Sequence, residues 1–411
     1  MGISKSFGSA LFSFLVFCIG CSSQSDVVAL ELGAGCQPLL SGIDCLLPYP
    51  SDFFLVPDPS MLSGRRILIT GEAKPLTAQG ESADTNDAIA RDGFSRIPPI
   101  ITTLGQDLSG TKFTGIHDDY DASLNLNHPT LLVEADTGKL IPHFVDLDPN
   151  AESPERQALI IRPITNLKEA TRYVVVLHHL VSVDGGGIKI PEGFKRLLSG
   201  QISNKGPLVE LQEHFDNAIF PVIARLGLER NRVQLAWDFT TGTQADVLRD
   251  MLRVRALVLD ELASTAPELV SLEIEEHARG KTWRTLRGIL KAPMVLKKKD
   301  SGSDLNRDSW GQVALNGEVE FSFIAQIPRV LKDSGKAGRV LQFGHGFLGD
   351  KSEGENGVPL HLAQEYGAVT FQIDWWGLCR DDLGTVAEGM SGNLSDALQT
   401  LERIPQAMAN W

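Results

Sequence analysis

Gly344-His345-Gly346-Phe347-Leu348-Gly349 is the stretch of this 411-residue chain whose residue types and spacing could do chemistry. It follows Val340-Leu341-Gln342-Phe343, a short apolar run that reads as a buried strand. A histidine flanked by glycines at such a strand end has two readings. One is a tight strand-to-helix turn; the other is half of a catalytic site whose remainder lies elsewhere. A serine nucleophile would be expected in Gly-x-Ser-x-Gly between a strand and a helix. Gly389-Met390-Ser391-Gly392-Asn393 comes nearest, with its glycine one place early and no apolar strand before it. "DKSEG" (350–354) and "RDSWG" (307–311) lack the first glycine. None of the three forms the required elbow.

Other candidates are weaker. "HDDYDASLNLNH" (117–128) has oxygen ligands suited to Ca²⁺ but lacks the glycine and closing glutamate of an EF-hand, so a solvated loop is expected. His178-His179 falls in a strand-like run, where successive side chains point to opposite faces and cannot share a metal. No metal site and no organic cofactor are expected.

The bulk composition narrows the class. A chain of this length is expected to hold two or three domains. With 42% hydrophobic and 22% charged residues it is globular, and a formal charge of −14 excludes the phosphate neutralisation that nucleic-acid binding requires. Lys5 followed by the uncharged run Ala10 to Ile19 is too short to span a bilayer and suits a signal peptide. That run ends in Cys18-Ile19-Gly20-Cys21, similar to a bacterial lipobox, which implies cleavage of residues 1–21 and lipidation of Cys21. The expected location is the bacterial cell envelope, on the outer membrane or cell surface, with a lipid anchor as the membrane contact. Export permits disulfides, and Cys36 and Cys45 are close enough in sequence to close a short loop, leaving Cys379 as an odd thiol.

The elements that must position these residues change character along the chain. Residues 22–190 contain short β-branched runs between turn signals: "HPTLLVEA" (128–135), "QALIIRP" (157–163) and "TRYVVVLHHLVSV" (171–183). They suggest a β-sandwich-like module. Residues 191–280 read as a helical connecting region, with one helix over 207–226. Another runs from Thr243 to about Leu262, opened by a Thr243/Asp246 capping box. Residues 281–411 alternate strand and helix: "GEVEFSFIAQIP" (317–328), "RVLQFGH" (339–345), "VPLHLAQEYG" (358–367), "AVTFQID" (368–374) and "NLSDALQTLERI" (393–404). That rhythm suggests the start of a parallel α/β sheet. The overall fold class is α/β plus β.

"LPYPSDFFLVPDPSMLSGRRILI" (47–69) with "DGFSRIPPI" (92–100) resembles the N-terminal module of bacterial extracellular and surface-lipoprotein lipases. "GHGFLGDKSEG" with "GAVTFQIDWWGLCRDDL" (367–383) is similar to the opening of their α/β-hydrolase domain. The resemblance implies acyl-ester hydrolysis of lipids or phospholipids. It implies an oxyanion-hole loop at His345, Gly346 and Phe347, with the Phe347 backbone N–H as donor and Gly346 sparing a Cβ clash. His345 precedes the place of any nucleophile in this fold's order, so its expected role is to shape the loop. Trp375 and Trp376 either line an acyl pocket or pack beneath the loop, and Asp374 comes too early to be the catalytic acid. The sheet is therefore expected to be incomplete. The chain reads as the N-terminal part of a longer lipase-like protein, or as a relative without its catalytic half and inactive alone. A non-catalytic surface binding or display protein is the competing expectation.

Overall fold

The computed structural model describes residues 1–2, 28–77, 79–83, 86, 91–203, 205–391 and 400–411. The signal-like segment, the proposed lipidation site Cys21 and most of the expected helix over 393–404 lie outside them. No helix among the described residues is long and apolar enough to cross a membrane.

The chain is of the α plus β class, and its strands form separate small sheets. A two-stranded ribbon, β1 (Leu55–Pro57) and β2 (Arg65–Ile67), is followed by β3 (Ile100–Thr102), β4 (Thr130–Glu134), β5 (His143–Leu147), β6 (Leu159–Pro163), β7 (Arg172–His178) and β8 (Val233–Thr240). These last six make two antiparallel sheets, in the orders β3-β6-β5 and β4-β7-β8. β7 is central because both its faces are apolar: Tyr173 through Leu177 are fully buried, as suits a β-branched run without polar alternation.

The helices α1 (Glu192–Ser199), α2 (Leu208–His214) and α3 (Phe220–Arg225) pack on this first core. The single helix expected over 207–226 is interrupted by a π-helical turn at Phe215–Ile219. Pro221, which has no N–H to continue the ladder, sits just beyond that turn. The expected boundary at 190 is displaced as well. β8 returns to pair with β7, placing Val175 opposite Trp237, and the first apolar cluster runs from Leu39 to Phe239. The second cluster begins at Val254 in α4 (Gln244–Ser264), so the supposed connecting region divides between two cores.

The two motifs quoted for the resemblance hold this junction. Asp52 is buried and accepts from the Thr240 N–H and hydroxyl, each at 2.7 Å, while the Pro50 carbonyl accepts the Trp237 indole N–H at 3.0 Å. Burial and the nearby Asp238 carboxylate push the Asp52 carboxyl up to about 6. Asp92 accepts from the Thr243 N–H at 2.9 Å and hydroxyl at 2.7 Å. Gly93 must be glycine, because a Cβ there would come within 2.6 Å of the Gly242 nitrogen. The expected capping box is half formed. The Thr243 side chain accepts from Asp246 N–H, but the Thr243 N–H goes to Asp92, and Asp246 accepts from the Asp92 N–H instead.

After α4 come β9 (Leu269–Glu276), β10 (Thr282–Pro293), β11 (Glu318–Pro328), α5 (Arg329–Ser334), β12 (Arg339–Gln342), α6 (Gly357–Tyr366), β13 (Ala368–Ile373) and α7 (Leu383–Ser391). The strands form one sheet in the order β12-β13-β11-β10-β9. It is mixed, contrary to the parallel sheet expected: only β12 and β13 are parallel. β9 to β11 pair antiparallel with their sequence neighbours, whereas the crossover through α6 makes β13 parallel to β12. The edge strand β9 is exposed along its whole length, with a bulge near Leu269 and carboxylates at Glu273, Glu275 and Glu276, features that discourage edge pairing.

Replacing Asp92 with alanine leaves the Thr243 N–H without its acceptor and frees the hydroxyl that caps α4 from its anchor. We expect a loss of about 2–4 kcal/mol in urea unfolding. A change below about 0.5 kcal/mol would show that the clamp is dispensable.

Candidate functional site

β12 and β13 are adjacent and parallel, so the loops at their carboxyl ends, 343–350 and 374–382, emerge side by side. Ligand sites of open α/β sheets form at such strand ends. Backbone hydrogen bonds join the two loops: Leu348 N–H donates to Leu378 O at 2.7 Å, and Arg380 N–H to Gly349 O at 2.7 Å. Leu348 adopts a left-handed φ of 58°, unusual for a branched side chain and costly unless the surroundings enforce it.

His345 contributes to this joint. Its Nε2 accepts the Trp375 backbone N–H at 2.9 Å, and its Nδ1 lies 2.7 Å from the Gly346 carbonyl. A carbonyl can only accept, so the arrangement assigns the proton to Nδ1 of a neutral ring. Both ring nitrogens are thus engaged in holding the loops together. Gly346 N–H donates to Glu353 at 2.9 Å. Phe347 N–H meets no acceptor among the described residues, and its side chain is 69% exposed. A Cβ at Gly349 would lie 1.9 Å from the Glu353 carboxylate and 3.1 Å from the Gly346 carbonyl, whereas at Gly346 the nearest atom would be 3.7 Å away, so packing among the described residues does not require glycine there.

Asp374 at the end of β13 accepts from Lys351 N–H at 2.9 Å and from its ammonium at 2.6 Å, tying the following turn to the strand. Lys351 also borders an open groove of about 450 Å³ across the sheet, lined by Ser271, Arg287, Ile289, Ser322 and Ile324. Trp376 is buried, with the Arg403 guanidinium 5.2 Å from its ring centre. Trp375 is half-buried and lies 5.9 Å, centre to centre, from Trp411. Of the two readings for this pair, packing beneath the loop describes Trp376.

Asp382, which sequence reasoning did not single out, fixes the shape of the second loop. Its fully buried carboxylate accepts from Gly377 N–H at 2.7 Å, Cys379 N–H at 3.1 Å and the Cys379 thiol at 3.1 Å, and it pairs with buried Arg403. Burial, with the Asp382 carboxylate second, pushes the Cys379 thiol up to about 12. A thiol so held is neither nucleophile nor metal ligand.

The remaining candidates separate. Ser391 ends α7, exposed, and its hydroxyl donates back to Glu388 O at 3.0 Å, the geometry of a helix end and not of a nucleophile elbow. Among the described residues no serine or cysteine side chain hydrogen-bonds to an imidazole. Cys36 and Cys45 are joined in a disulfide. Over 117–128 the acids bond the loop's own backbone, Asp118 to Gly115 N–H and Asp119 to Asp121 N–H. The alternation expected at His178-His179 fails. β7 ends at His178, His179 takes a φ of 54°, and the two ring centres lie 4.3 Å apart. Even so, no group of three or more His, Cys, Asp or Glu side chains among the described residues is placed to hold a metal ion. No protein family, characterised protein or solved structure matches the chain.

Two outcomes follow from the buried pair. Asp382→Asn leaves the Arg403 charge uncompensated, with an expected cost of about 3–5 kcal/mol in urea unfolding. Cys379 of the native protein should resist iodoacetamide at pH 8 and become alkylated only in denaturant; rapid native labelling would contradict the buried, protonated thiol.

Proposed function

We propose that this chain is an exported lipoprotein of the lipase and esterase type, anchored through Cys21, and that the loop at His345, Gly346 and Phe347 carries half of an oxyanion hole for acyl-ester substrates. The observation supporting this reading is the Phe347 N–H, which meets no acceptor among the described residues, on an exposed residue at the carboxyl end of a parallel strand, beside a Gly346 N–H already engaged by Glu353. Ester hydrolysis passes through a tetrahedral oxyanion, and one donor fixed in advance toward that charge is worth ~10²–10³ in rate. His345, with both nitrogens engaged in the loop joint, positions the donor and transfers no proton. The nucleophile, acid and base are not assigned to any residue of this chain, so the 411 residues alone hydrolyse no ester by this mechanism.

A tetrahedral anion with an apolar tail tests the donor directly. Hexylphosphonate titrated into the protein should move the Phe347 amide resonance and leave that of Gly346 in place. No movement at Phe347 at saturating phosphonate, or equal movement at both, would sink the assignment. In parallel, p-nitrophenyl butyrate should be hydrolysed no faster than in buffer. Turnover abolished by Ser391→Ala or Ser352→Ala would show that a nucleophile had been overlooked. A non-catalytic binding or display role would leave both measurements blank.

A further inference from the structure

Three buried imidazoles and a fourth at the surface meet where β4, β5 and β7 come together. His128 and His143 lie edge to face with ring centres 5.5 Å apart, and His178 lies against His179 at 4.3 Å. His143 is fully buried, and His128 and His178 are nearly so. His143 Nδ1 lies 2.9 Å from the Ile141 carbonyl and donates there, while His128 Nδ1 faces three groups of Thr130, its carbonyl at 2.7 Å, its hydroxyl at 3.1 Å and its N–H at 3.3 Å. Their Nε2 atoms face hydroxyls, Thr114 at 3.0 Å for His128 and Thr130 at 2.8 Å for His143. Both rings are thus held by neutral hydroxyl and backbone groups, with no carboxylate among their hydrogen-bond partners in the described residues. His178 Nε2 is buried with no partner.

The titratable groups acting on these rings are other imidazoles: His128 on His143, and His179 with His128 on His178. The carboxylates on the neighbouring excursion, Asp118 and Asp119, are engaged with Gly115 and Asp121 N–H. Protonation would therefore place like charges together in an interior with no counter-ion among the described residues, where an uncompensated charge is costly.

One ring of that cluster ties the neck of the excursion over 115–127: the Thr114 hydroxyl is hydrogen-bonded to His128 Nε2 across its two ends. Backbone groups complete the closure, the Thr114 carbonyl accepting Val145 N–H at 2.8 Å and the Ser123 hydroxyl accepting the His143 backbone N–H at 3.0 Å. We infer that the histidine cluster is an acid-sensitive latch that holds the excursion over 115–127 at neutral pH and releases it as the rings take up protons.

The sign is set by burial. It lowers all three rings, His143 and His178 to about 4, with the neighbouring imidazole adding to it in these two. The unfolded or opened chain takes up protons first, near 6.5, so the latch is intact above that pH and is lost as pH falls toward 4. Asp52, raised to about 6 against Thr240, acts in the same window with the opposite sign, so the readout must be local.

Amide hydrogen exchange, corrected for intrinsic pH dependence, provides that readout. Protection over 115–127 should fall at least about tenfold between pH 7 and pH 4.5, while the amides of β7 stay protected. His128→Gln with His143→Gln keeps polar groups without two of the three buried titrations and should shrink the difference between the two pH values to less than about threefold. Unchanged protection in the wild type, loss simultaneous with β7, or the same fall in the double variant would overturn the latch. Should the double variant not fold, the ring C2–H resonances of the wild type decide. The three buried rings are expected neutral at pH 5.5, and titration of all of them near 6.5 would overturn the proposal.

Discussion

The structure depends on how the chain is held where it passes from one apolar core to the other. Asp52 takes two donors from Thr240 and Asp92 takes two from Thr243, three residues further on, so β8 ends and α4 begins between two buried carboxylates. In each carboxylate one oxygen accepts a backbone N–H, at the end of β8 or at the N-cap of α4, and the other accepts that threonine's hydroxyl. Because α4 supplies Val254 and Val258 to the second cluster, its starting point fixes where that core is built. The Pro-Tyr-Pro-Ser-Asp and Asp-Gly-Phe-Ser motifs are thereby accounted for as structure. They meet on β8, although more than thirty residues separate them in sequence.

The same device recurs at the site. Asp382 gathers backbone and thiol donors from its own loop and an arginine from the final segment, and the loop it shapes is hydrogen-bonded to the one carrying Phe347. A left-handed Leu348 and a half-exposed histidine would relax if they stood alone. They are held because Leu378, Gly349 and Arg380 connect the two strand ends. A donor that must stay unpaired in water needs such a frame, since a flexible loop would turn it toward its own carbonyls.

Much of this frame is legible in the residues. The run Val340 to Phe343 before glycines, the helical pattern over 358–367 and the β-branched run after Gly367 place β12, α6 and β13 within a residue or two. β12 is nonetheless an exposed edge strand and not the buried one its apolar residues predict, because no strand or helix among the described residues covers Val340. Local pattern fails where a partner is distant. The glycines at 185–187 look like the end of a module, yet β8 pairs with β7 from beyond three intervening helices. Glu353 and Asp382 are ordinary acids in a turn until the fold brings Gly346 to the one and Arg403 to the other. Alternating strands and helices predict parallel pairing, yet that rhythm says nothing of direction once β11 and β13 become neighbours.

The histidines separate position from chemistry. His345 stands in the most suggestive sequence and is fully engaged, one nitrogen donating and the other accepting, so a proton added to Nε2 would face the Trp375 N–H it now accepts. His143 and His178 stand at strand ends with no glycine beside them and depart from ordinary imidazole behaviour, because burial penalises their charge. A glycine on either side marks where a backbone must turn. It carries no information on whether the imidazole between is free to exchange a proton. That depends on what each ring nitrogen touches, and here the two nitrogens of His345 touch the loop.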